Sequence, residues 1–224
     1  MSLMIFLVAA VGLLIGYILN NYILTVNENE KGEFFKPNFD KNRTIIILAW
    51  NVLIPVILFK VYDGIFCVDF FRNVVLNALC SAVFFIDFKL HIIPNILNLI
   101  ALILGCICLF FDKFWVKDFI IAAIIGLSIF LIIIVFSKLV LKKDGMGLGD
   151  AKFMCVVGLL SGIVNTIGII FFSFIFGSIG AIVLLISNKK EVGQEIAFGP
   201  YIVMATMIFM FFGNYIFNWY FNIL

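Results

Sequence analysis

Residues 153–188 read FMCVVGLLSGIVNTIGIIFFSFIFGSIGAIVLLISN, and no Asp, Glu, Lys or Arg interrupts them. A helix that crosses a bilayer needs about 20 apolar residues, with about 17 to 25 workable. This stretch is too long for one crossing. Ser161-Gly162 and the segment 165–168 supply turn residues in its middle. The pattern predicts helices over 153–164 and 167–187, the first being short for a full crossing unless Ala151 and the preceding loop extend it. A pair of apolar helices of this kind sets the fold class of the whole chain.

The rest of the chain agrees. It is 65% hydrophobic and 12% charged, with a mean hydropathy of +1.24. Soluble domains have about half their residues apolar and about a quarter charged. Too little polar surface remains to cover a water-soluble globule, so the composition predicts an integral membrane protein folded as one bundle. A net charge of +2, with no basic stripe carrying interleaved aromatics, gives no reason to expect a nucleic-acid partner.

Further spans are predicted over 3–24, 44–59, 70–86, 92–111, 119–137 and 196–224. With the two above they make about eight transmembrane helices in an all-α, polytopic bundle. Pro200 falls in the first turn of the last span, where a missing N–H costs little. The segment 26–43 is polar and carries both signs of charge, and reads as a short cytoplasmic loop. The apolar run at the start lacks a basic flank and a small-residue cleavage site, which predicts a retained helix. The five cysteines form no Cys-x-x-Cys pair and read as small packing residues. No metal site is expected, because the single histidine, His91, has no clustered partners.

Positive charge sets orientation. Alternate loops share a side, and the odd-numbered loops hold eleven of the 15 Lys and Arg residues. Those loops are therefore expected in the cytoplasm, with both termini outside. Asp87 ends the third span and Asp150 lies in the fifth loop, so both carboxylates fall on the cytoplasmic face. Asp63, Asp69, Asp112 and Asp118 fall on the other.

Asp150 closes the run Gly145-Met-Gly-Leu-Gly-Asp-Ala-Lys152. Three alternating glycines permit conformations and close approaches that a Cβ would block, and such a turn could let an extended peptide lie beside Asp150. Asp87 precedes Pro94, which breaks backbone continuity at the start of the fourth span. Alone, Asp87 reads as an interfacial charge at a helix end, and the glycines as a flexible connection. Together they fit a carboxylate pair. Two carboxylates brought close cannot both ionise easily, so the pair holds one proton. The ionised member can activate water while the protonated one polarises a peptide carbonyl, by general acid–base catalysis without a metal.

Asp87 with Ile-Pro-Asn at 93–95, Gly147-Leu-Gly-Asp150 with Lys152, and Phe198-Gly-Pro-Tyr201, in this order, resemble the type IV prepilin peptidases. These are bacterial membrane aspartic proteases of the Gly-x-Gly-Asp class. Gly12, Gly16 and Asn20 in the first helix resemble theirs as well. The resemblance implies Asp87 and Asp150 as catalytic residues. It implies Gly147, Gly149, Lys152, Pro94, Gly199 and Pro200 as active-site support. It implies removal of the leader from type IV prepilins or pseudopilins at the cytoplasmic face of the bacterial cell membrane, in pilus assembly or protein secretion. Many members also methylate the new N-terminus with S-adenosylmethionine. Many hold zinc on two Cys-x-x-Cys pairs in the first cytoplasmic loop. Segment 26–43 has no cysteine, which rules out that zinc site here and leaves methyltransferase activity open. The expectation is one membrane peptidase domain over 1–224 that needs no cofactor for proteolysis.

Three other readings compete. A small ion-coupled transporter could use Asp87 and Asp150 as ion or proton sites, although such sites usually lie near the bilayer midplane. A scaffold in a pilus or secretion assembly gives no reason for the glycine–aspartate arrangement. A signal-peptide-peptidase-like protease shares the Gly-x-Gly-Asp idea but lacks the Phe-Gly-Pro placement. Lys152 could bias Asp150, meet lipid phosphate or simply snorkel to the interface.

Overall fold

A computed structural model describes residues 2–31, 41–112, 114–141, 146–187 and 196–223. They form eight α-helices, and no strand occurs among the described residues. The helices are α1 (Ser2–Lys31), α2 (Lys41–Val61), α3 (Val68–Leu90), α4 (Asn95–Phe111), α5 (Val116–Phe136), α6 (Leu148–Ser161), α7 (Ile163–Ile186) and α8 (Gly199–Ile223). Ser137–Leu141 prolongs α5 as a π-helical turn.

The all-α bundle and the order of its helices match expectation. Five helices are long and apolar enough to cross a membrane: α1, α2, α3, α5 with the turn that follows it, and α7. The apolar helix α4 and the segment 199–213 of α8 are shorter, and α6 has only 14 residues.

Several boundaries move. The 26–43 segment is not all loop, because α1 runs on to Lys31 and α2 begins at Lys41. Once a helix is nucleated in an apolar span, each further residue adds a hydrogen bond, so it need not stop where hydropathy stops. The third span outlasts Asp87 by three residues, to Leu90. His91 then closes α3 in the left-handed conformation (φ 55°), its N–H donating to the carbonyl of Asp87. Pro94 is extended (φ −64°, ψ 126°) and leads into α4, so the fourth span starts at Asn95.

The long uncharged stretch divides at Gly162, whose φ of +79° suits glycine. A Cβ there would sit 2.6 Å from Oδ2 of Asp118, and that oxygen accepts the N–H of Ile163 at the start of α7. The break thus lies at Gly162, ahead of the expected division between 164 and 167: α6 ends at Ser161, and residues 163–166 already belong to α7.

Helix α3 is the inner member of the bundle. Half of its apolar window is buried, against at most a third in the other four spans. It packs on α1, α2, α4, α6 and α8. The main core joins Val83 and Ile86 of α3 to Phe130 of α5, Phe153 and Met154 of α6, and Ile202 of α8. At one end of α3, buried Arg72 pairs with Asp69 and with Asp112 (3.1 Å) and lies over the ring of Phe119. Asp118 is bound at this same end, through its contact with the α6–α7 break. Asp87 lies fifteen residues along α3, about 22 Å away at 1.5 Å per residue. The acidic residues assigned to the outer face and the Asp87–Asp150 pair therefore occupy opposite ends of the bundle.

Candidate active site

Two helices bring the carboxylates to one end. Asp87 lies in the last turn of α3 and is 4% exposed, and Asp150 lies in the first turn of α6 and is 8% exposed. Asp150 was expected in a loop. Gly147 is instead the N-cap, with φ −75°, and Leu148 and Gly149 are already helical. Neither Gly147 nor Gly149 has a positive φ. What Gly149 provides is close approach, since a Cβ there would lie 3.2 Å from Cβ of Ile93 in the α3–α4 connection. Gly147 is exposed and borders Asp150 Oδ2 on an otherwise open side. Gly145 and Asp144 lie outside the described residues.

The α3–α4 connection is thus clamped against the start of α6. A second tie reinforces it: Lys152 Nζ donates to Oδ1 of Asn95 at 2.9 Å. Lys152 joins α6 to α4 and makes no bond to Asp150.

The third contributor comes from α8. The N–H of Gly199 donates to Oδ2 of Asp87 at 2.9 Å. A Cβ on residue 199 would lie 2.6 Å from that oxygen, so only glycine fits with the carboxylate where it is. Phe198 sets this position, its ring packing against Phe130 (6.0 Å) and Phe174 (5.2 Å). Pro200, in the first turn of α8, is buried beside it. Phe198 opens the Phe-Gly-Pro segment read from the sequence, whereas Phe130 and Phe174 carry no distinguishing sequence signal in a chain with 28 phenylalanines.

The electrostatics suit a shared proton. Asp150, whose helix is not among the five spans, is pushed up to about 7, first by burial and then by the charge of Asp87. Asp87 and Asp150 are therefore close enough to act on one another. A buried carboxyl that keeps its proton near neutral pH, beside a second carboxyl, has the parts for general acid–base chemistry. Asn98, one turn into α4, is buried with neither amide atom partnered. No feature of the sequence marked this residue.

Comparison with known proteins bears on this geometry directly. Residues 74–185, half of the chain, match the model of the type IV leader peptidase family. The matched stretch includes Asp87, Pro94, the Gly-x-Gly-Asp run and Lys152. The chain belongs to the type IV leader peptidase family. It is 34% identical over 133 residues to a prepilin leader peptidase/N-methyltransferase of Pseudomonas aeruginosa, covering 58% of this chain and 46% of that protein. A Legionella pneumophila protein of the same name is 32% identical over 138 residues (61% and 48%), and one from Xanthomonas campestris 27% over 146 residues (64% and 50%). The chain spans about half the length of these curated relatives. No solved structure matches it. The family membership, with both aspartates at helix ends, does not favour the transporter reading.

Proposed function

We propose that this protein is a membrane-embedded aspartic endopeptidase that removes the leader peptide from type IV prepilins or pseudopilins. The observation that carries the proposal is the meeting of two buried carboxylates, Asp87 of α3 and Asp150 of α6, at one end of the helix bundle. One carboxylate takes a proton from water as its oxygen attacks the scissile carbonyl carbon, and the other gives its proton to the carbonyl oxygen. The tetrahedral diol collapses as the first returns its proton to the leaving nitrogen and the second recovers one from a hydroxyl. Water is consumed and both carboxyl groups end as they began.

The open side of Gly147 beside Asp150 suits an extended peptide arriving from the aqueous end of the bundle. The excess of Lys and Arg in the odd loops supports a cytoplasmic position for this end, in the bacterial cell membrane. Gly149, Pro94, Lys152, Gly199 and Pro200 would support the site rather than react. Chain 1–224 would act as one peptidase domain, with the 26–43 segment in place of a zinc-bearing loop.

The relatives' names include N-methyltransferase. S-adenosylmethionine would supply a methyl group to the new N-terminus if that activity exists here. Segment 32–40, the centre of the first cytoplasmic loop, lies outside the described residues, and no described residue is assigned to that cofactor.

The test is incubation of the purified protein with a synthetic prepilin N-terminal segment spanning the leader and the start of the apolar helix. Mass spectrometry should report loss of the leader. An intact peptide under conditions where the protein remains folded would reject the proposal.

A further inference from the structure

We infer that Asn98 is a substrate-binding residue: its side-chain amide holds the backbone of the cleaved peptide on the membrane side of the scissile bond. The inference rests on the proposed peptidase chemistry and deepens it.

Asn98 stands apart from the other buried asparagines. Asn51 donates to the carbonyl of Ile47 and to Oγ of Ser81, Asn77 accepts the indole N–H of Trp50, and Asn20 accepts the hydroxyl of Thr44. Amides inside membrane bundles are ordinarily engaged in this way, tying helices together. Asn98 is equally buried, at 5% exposure, yet neither its Oδ1 nor its Nδ2 bonds to the protein. A buried amide left unpaired costs stability. The fold draws no hydrogen bond from this side chain, so a partner from outside the fold accounts for it.

The register of α4 on α6 places the amide. Ile93 lies against Gly149, Asn95 bonds to Lys152, and Gly105 lies against Leu159 and Leu160. The two helices therefore run side by side in the same direction. Asn98 shares a face of α4 with Gly105, two turns further on, and that face is turned to α6. It lies three residues past Asn95, about 4.5 Å deeper along the helix. Its Cα–Cβ bond tilts back toward the start of α4, the end where Asp150 enters. Helix α3 packs on the other flank of α4. Asp87 stands three residues before the end of α3, and Asn98 three residues after the start of α4, so the connection between the helices sets the two at one depth.

The substrate brings polar groups to this depth. Its leader arrives from the aqueous end, so the residues after the cut lie deeper, where its apolar helix begins. The first N–H groups of a helix have no partner within it, and lipid offers none. A chain drawn out at the carboxylates also leaves backbone carbonyls unpaired. Oδ1 of Asn98 can accept one such N–H while Nδ2 donates to one such carbonyl, the pairing that one amide makes with another. Lys152 and Asn95 are exposed and bonded to each other, nearer the aqueous end.

The experiment measures kcat/KM for leader cleavage, per folded protein, by wild type, Asn98→Leu and Asn98→Ala. The substrates are one synthetic prepilin segment and versions of it with a single backbone ester in place of an amide, the scissile bond excepted. An ester deletes one N–H donor and leaves every side chain in place. Both variants should cleave the all-amide segment about five- to thirtyfold more slowly, the loss of one or two hydrogen bonds. An ester within the first turn after the cut should slow wild type about fivefold and slow neither variant further. Asn98→Ala cannot overpack, so it answers the question if Asn98→Leu fails to fold. Ester effects that simply add to those of both variants at every position would mean that Asn98 does not touch the backbone. Coupling confined to the leader would place the peptide the other way round. Either result overturns the inference. If wild type leaves the all-amide segment intact, the peptidase reading itself fails; if wild type cleaves and the variants keep pace with it, only the role of Asn98 fails.

Discussion

Gly199 and Asp87 lie 112 residues apart in sequence, and a 2.9 Å hydrogen bond joins them inside the bundle. That contact ties the beginning of α8 to the end of α3. Asp150 enters from a third helix, α6. The candidate site is therefore an assembly of helix ends, and its precision depends on how closely those helices pack.

Replacing Asp87 or Asp150 by Asn keeps size and leaves a hydrogen-bond acceptor for Gly199 at position 87. Each variant should insert and, at acid pH where wild-type Asp150 holds its proton, melt like wild type. Each should lose leader cleavage by at least about 10²–10⁴-fold, the scale of a lost acid–base group. Initial rates by mass spectrometry, with detergent-solubilised thermal melts as control, check this.

The rate should follow a bell-shaped pH profile, with limbs that belong to the coupled pair. Asp150 is raised to about 7, so the basic limb should fall near that value as its proton is lost. Stability follows the same titration. Between the ordinary carboxyl value of 3.8 and about 7, the folded state binds the proton more tightly than the unfolded state. The Asp150 contribution is thus fully present below 3.8 and is lost as pH rises through about 7. Asp150→Asn should flatten the decline in melting temperature across this window.

Helices α5 and α6 touch backbone to backbone. A Cβ on Gly158 would meet the carbonyl oxygen of Ala122 at 2.5 Å, and one on Gly126 would meet that of Met154 at 2.5 Å. Gly158→Ala should cost about 1–3 kcal/mol, as overpacking does. Because α6 carries Asp150, cleavage should fall as well. Denaturant unfolding in micelles and initial rates measure the two effects.

Lys152→Ala and Asn95→Ala remove an exposed bond at the same end of the bundle. Each should cost about 0.5–1.5 kcal/mol and reduce cleavage by less than about tenfold. The double variant should be little worse than either single one, because the two residues act through one contact.

The order of the helices was legible because each apolar run carries its own length signal. Their ends were less so. Hydropathy cannot register that α1 continues to Lys31, or that the run before Asp150 begins a helix instead of remaining a loop. The two carboxylates stood out as acidic residues at the edges of apolar runs, and charge bias put both on one face. The contacts that set their geometry left no local trace. Ile93 against Gly149, Phe198 between Phe130 and Phe174, and Gly199 on Asp87 all join segments far apart in sequence. Arg72 shows the same limit: it reads as a stray charge inside a span, and in the fold it is buried between Asp69, Asp112 and Phe119.

Leader cleavage by the purified wild-type protein, set beside Asp87→Asn and Asp150→Asn on one synthetic prepilin segment, tests the central claim most directly. The account predicts a shortened peptide with wild type and an intact one with either variant, all three proteins being equally folded. Cleavage at the wild-type rate by either variant would contradict it.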